Sequence, residues 1–101
     1  MKVELAEILI RYEKGDFDQL EKQIPSWAMR FEEVLQQDEF QREQLMAEIL
    51  IRIIFHLDKD KKEAVSRLCT ELLELADESS AEDTDILNYV RWIKKNVIKL
   101  L

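Results

Sequence analysis

Turn-forming residues are almost missing from this chain: of 101 residues, one is glycine (Gly15) and one is proline (Pro25). A hairpin-rich β-protein needs many more at its turns, and collagen-like or linker-rich chains more still. Cysteine also occurs once, at Cys69, which rules out an intrachain disulfide and with it a secreted disulfide scaffold. One glycine cannot build a phosphate-cradling loop, and none of Ser26, Ser66, Ser79 and Ser80 lies in a G-x-S-x-G setting. Basic residues are outnumbered, 15 against 22 acidic, for a net charge of −7. Duplex binding wants a Lys/Arg surplus to displace counterions, so no nucleic-acid partner is expected. Nor is there a long apolar run. The most apolar stretch, Leu45 to Leu57, contains Glu48, Arg52 and His56, too short and too polar to span a bilayer. The opening Met1-Lys2-Val3-Glu4 does not read as a signal peptide, and with one cysteine the expected location is a reducing cytoplasm.

What remains is a helical alphabet. Ala, Leu, Glu, Lys, Gln, Arg and Met, the strong helix formers, supply more than half of the chain. Leu5, Ile8, Leu9 and Tyr12 give residues 3–13 a helical spacing, and Gly15 sits where a C-cap needs positive φ. Asp16 with Gln19 forms a capping-box pattern. Phe17, Leu20, Ile24, Trp27, Phe31 and Val34/Leu35 then recur every three or four residues, straight through Pro25. That phase predicts either one helix kinked at Pro25 or two closely abutting helices. Asp38 with Gln41 repeats the capping pattern before a helix over roughly 39–57. Ten of the thirteen residues from Leu45 to Leu57 are apolar, and the exceptions, Glu48, Arg52 and His56, fall on one narrow stripe. A helix this apolar is expected at the centre of the fold, or shared with a second subunit. Asp60 with Glu63 opens a helix over about 61–78 whose inner face carries Val65, Leu68, Leu72 and Leu75/Ala76. Asp77 to Thr84 reads as a polar loop. A last helix over about 85–100 turns Ile86, Val90, Ile93, Val97 and Leu100 inward. The expectation is an all-α fold: a single domain over 1–101, a compact bundle of five to six helices.

One hexapeptide occurs twice, Ala6-Glu7-Ile8-Leu9-Ile10-Arg11 and Ala47-Glu48-Ile49-Leu50-Ile51-Arg52. Each copy precedes an Asp cap and a second amphipathic helix, so two helical-hairpin repeats plus a C-terminal helix form the alternative architecture. Two units are fewer than such arrays need, and helical sequences re-use a small alphabet, so the compact bundle is favoured.

Chemistry-bearing constellations are few. His56 with Glu48, Arg52 and Asp58 lacks the inward carboxylates and Glu-x-x-His pairs of a bundle metal site; Glu48 and Arg52 read instead as an i,i+4 ion pair. Cys69 lies beside an apolar face, where thiols are inert. No metal, no cofactor and no enzyme activity is expected. The charge distribution is the functional signal. From Leu68 to Asp85 there are seven acids, Glu71, Glu74, Asp77, Glu78, Glu82, Asp83 and Asp85, and no base. From Ile86 onward there are four bases, Arg91, Lys94, Lys95 and Lys99, and no acid. Plain solvated faces, or pairing of the last two helices, are the simplest account. A docking surface for a basic protein comes next, and a basic amphipathic segment carrying Tyr89 and Trp92 to a membrane surface third. The expected function is non-enzymatic protein–protein interaction, as a small acidic adaptor, chaperone or inhibitor. Immunity proteins, antitoxins and export chaperones share this size and charge, an analogy of build alone. The alternative is an obligate homo-oligomer, such as a homodimer, with helix 45–57 as the subunit interface.

Overall fold

Six α-helices and no strand make up the described part of the chain, which in this computed structural model comprises residues 1–55, 59–78 and 84–101. The side chains of Lys59, Glu78, Thr84, Asp85 and Leu87 lie outside that description, as do His56 and Asp58 entirely. The helices are α1 (Lys2–Lys14), α2 (Phe17–Arg30), α3 (Glu32–Leu35), α4 (Gln41–Ile54), α5 (Lys59–Glu78) and α6 (Thr84–Asn96). Short 3₁₀ turns at Asp38–Phe40 and Ile98–Leu100 precede α4 and follow α6. The Cα radius of gyration is 12.9 Å. A compact chain of this length has about 13 Å, so the helices form a closed bundle.

Gly15 ends α1 as its spacing predicts. Its φ is +79°, and its N–H bonds the Tyr12 carbonyl while the Asp16 N–H bonds that of Arg11. That pair of bonds is a Schellman motif, which a left-handed residue makes possible. The capping boxes fare differently. Asp16 occupies the N-cap of α2, but its side chain makes no capping bond. Asp38 lies in the 3₁₀ turn, and Phe40 takes the N-cap of α4. Asp60 is already inside the first turn of α5, because that helix begins at Lys59. In the first turn an acid still gains from the helix dipole without accepting a cap bond.

Pro25 lies inside α2, which is a single helix through that position. The break comes instead at Phe31, whose φ of −109° and ψ of 20° leave the α region. One turn of α3 follows and returns Leu35 to the core.

The central helix is α4, in contact with α2, α3 and α5. Leu45, Met46, Ala47, Ile49, Leu50, Ile53 and Ile54 are all buried within the one chain, so the apolar character of α4 needs no second subunit. It ends at Ile54 rather than near 57, where Phe55 turns extended. On α5, Cys69 joins Val65 and Leu72 in the core, while Leu68, Leu75 and Ala76 are partly buried. That helix continues to Glu78 and α6 starts at Thr84, so both ends of the expected loop are helical; residues 79–83 lie outside the described part.

The inner face of α6 differs from the one its spacing predicts. Ile86, Ile93 and Val97 are buried as expected, but Val90 and Leu100 are only half-buried, and Tyr89, Trp92 and Asn96 join the core. Trp92 Nε1 donates to the Leu9 carbonyl at 3.3 Å, and its ring meets Tyr12 edge-on at 5.3 Å. Asn96 Nδ2 donates to Glu13 Oε1 at 3.1 Å. Of the two aromatics that suggested a membrane-facing segment, Trp92 joins α6 to α1 and Tyr89 is buried in the core. No helix among the described residues is long and apolar enough to cross a membrane.

Candidate functional site

The charged stripe of α4 is where the surface acquires shape. Glu48 and Arg52, one turn apart, are each half-buried, and Arg52 Nη1 donates at 3.0 Å to the backbone carbonyl of Glu48. The expected side-chain ion pair is thus replaced by a bond to the main chain. A hollow opens on either side of this turn.

The larger, about 420 Å³, lies between α2–α3 and α4. It exists because α2 stops at Phe31: the chain turns away, α3 seats Leu35 against the core, and a gap is left above α4. The Arg30 guanidinium lies over the Phe31 ring at 5.0 Å and helps hold that corner. Ala28, Met29, Leu35, Ala47 and Ile51 supply apolar lining, while Glu32, Gln36, Gln44 and Glu48 supply the polar part. The smaller hollow, about 200 Å³, lies between α4 and α5, lined by Arg52, Ala64, Arg67, Leu68 and Glu71.

Of the seven acids singled out by sequence, the structure describes the side chains of three. Glu71, Glu74 and Asp77 are all exposed on α5. Those of Glu78, Glu82, Asp83 and Asp85 lie outside the described residues. Glu71 is not isolated from positive charge, since folding brings Arg52 of α4 to the hollow it shares with Arg67. Glu74 and Asp77 stand farther along the same helix. Lys95 of the basic C-terminal stretch pairs with Glu13 of α1 at 3.5 Å, so at that position α6 engages α1 rather than α5.

Titratable groups elsewhere serve the fold. Burial pushes the Cys69 thiol up to about 11, which keeps it protonated and unreactive near neutrality. The terminal ammonium of Met1 lies 2.9 Å from the Glu4 carboxylate and holds its pKa below the ordinary range, helped by the Glu4 backbone N–H. Among the described residues no three His, Cys, Asp or Glu side chains converge on one point.

Glu43 is the residue sequence reasoning passed over. It is fully buried at the start of α4, with Arg42 Nε 3.2 Å from its carboxylate. Its position could have been found, because Glu43 lies in helical phase with Met46, Ala47 and Leu50.

The surface therefore offers an apolar groove edged by carboxylates and an exposed acidic helix beside it. No family model matches the chain, and no curated protein or solved structure matches it.

Proposed function

We propose that this chain is a non-enzymatic protein-interaction module, a small acidic adaptor, chaperone or inhibitor of the immunity or antitoxin kind, acting in a reducing cytoplasm on a basic protein partner. The observation that carries the reading is the placement of Glu74 and Asp77, both exposed on α5 within a segment whose seven acids are followed by no base until Arg91. Acids presented this way attract a cationic surface before contact and speed its capture. Glu78, Glu82, Asp83 and Asp85 extend the same acidic segment in sequence.

Affinity capture from the source cell tests this, run in parallel with wild-type chain and with the Glu74→Lys/Asp77→Lys double reversal. The partner should be retained by the first and lost or strongly reduced by the second, with both baits equally folded by circular dichroism. For the purified pair, raising salt should slow association more than it changes dissociation. Equal capture by both baits, with salt-independent association, would remove the α5 face from the reading.

A further inference from the structure

We infer that the groove between α2–α3 and α4 receives the apolar side of an amphipathic helix whose flanks carry lysine or arginine. The inference rests on the basic-partner reading above only for the sign of the partner's charge; the groove itself is a separate surface from the α5 acids. It has a volume of about 420 Å³ and runs between two helical walls. Met29, an unbranched and polarizable side chain of the kind used at adaptable binding surfaces, stands 76% exposed at its edge, and Ile51 is half-exposed on the opposite wall.

The character of the lining selects the occupant. Its charged residues are Glu32 on the α3 wall and Glu48 on the α4 wall, with no base among them. A carboxylate on each side of an apolar floor complements a helix with a bulky anchor row and cations on both flanks. The same arrangement repels an acidic helix and an anionic lipid surface. The polar residues stand on separate helices at the margins, which suits an extended rod better than a small molecule needing several groups converging on one point.

The test uses the ¹⁵N-labelled full chain and two synthetic amphipathic helical peptides. Both carry one Leu/Trp face; one has lysine flanks and the other glutamate flanks. Amide shifts should concentrate at 28–36 and 44–51, and the lysine peptide should bind at least about tenfold more tightly than the glutamate peptide. Met29→Ser, at a position too exposed to disturb the core, should weaken binding of both peptides in the groove, and Glu32→Lys/Glu48→Lys should reverse the preference. Glu74→Lys/Asp77→Lys should leave this titration unchanged, which separates it from the test of the α5 face. Equal affinity for the two peptides, shifts centred elsewhere, no shifts at millimolar peptide, or the same shifts on raising protein concentration without peptide would each overturn the inference, the last by placing a second copy in the groove.

Discussion

Trp92 on α6 donates its indole N–H to the backbone carbonyl of Leu9 on α1 at 3.3 Å, joining helices 83 positions apart in sequence. Tyr12 meets the same ring edge-on, and Asn96 and Lys95 reach Glu13 one turn farther along each helix. The first and last helices are thereby closed on each other. Trp92→Phe keeps most of the ring but loses the donor, and should cost about 1 kcal/mol. Trp92→Ala removes the ring and should cost about 3–5 kcal/mol. Urea denaturation measures both, and equal, negligible losses would show that the α1–α6 contact adds nothing to stability.

The repeated hexapeptide gives a second comparison. Ile8 and Ile49 are both fully buried, so that position plays the same part in α1 and α4. The first alanine does not: Ala6 is exposed, whereas Ala47 is only 4% exposed, at the floor of the groove. Ala6→Leu should leave the midpoint of denaturation within about 0.5 kcal/mol of wild type. Ala47→Leu should destabilise by about 1–3 kcal/mol through overpacking. Identical responses at the two sites would contradict the different placement of the two copies.

How far the sequence could be read follows from which interactions are local. The end of α1 was legible because Gly15 meets a need set by its own few neighbours. The inner apolar positions of α4 were legible because a thirteen-residue stretch with only three polar residues has few faces to expose. Pro25 was not decisive: its missing N–H is a local cost, but Leu20, Ile24 and Trp27 are buried on one side of the same helix and outweigh it. Trp92 was misplaced because its partners, Leu9 and Tyr12, lie on α1, a pairing that periodicity cannot show. The groove was invisible for the same reason. It depends on where α2 stops, and the signal at Phe31 is a backbone angle rather than a residue type. Glu71 illustrates the limit of charge counting, since one of the two bases that share its hollow, Arg52, belongs to another helix.

Gly15 allows the conformational term to be measured alone. A Cβ built there would come no closer than 4.0 Å to the Phe17 ring, so no clash opposes a side chain. Positive φ does. Gly15→Ala should therefore cost about 1–2 kcal/mol, and Gly15→Asn less, because asparagine tolerates the left-handed region. Thermal or urea melts of the two variants check this, and an alanine variant as stable as wild type would mean that α1 can end without the Schellman turn.

The buried thiol makes the last prediction one of pH. Cys69 is 3% exposed between Val65 and Leu72 on the inner side of α5, and burial raises its pKa from an ordinary 9.0 to about 11. The folded chain therefore holds this proton more tightly than the unfolded chain. Its contribution is fully present below pH 9 and is lost as pH rises from about 9 to about 11, because the unfolded state releases the proton first. The loss should be of order 2 kcal/mol. The informative quantity is the difference between wild type and Cys69→Ala, in which every other group contributes alike. That substitution changes packing equally at every pH but removes the proton, so the alkaline decline should be shallower in the variant. Reactivity gives an independent reading. At pH 8 a two-unit rise in pKa leaves about a hundredfold less thiolate, and disulfide-exchange reagents should label the native protein at least that much more slowly than the urea-unfolded chain. Parallel alkaline declines in wild type and Cys69→Ala, together with equal labelling of native and unfolded protein, would place the thiol in water instead of in the core.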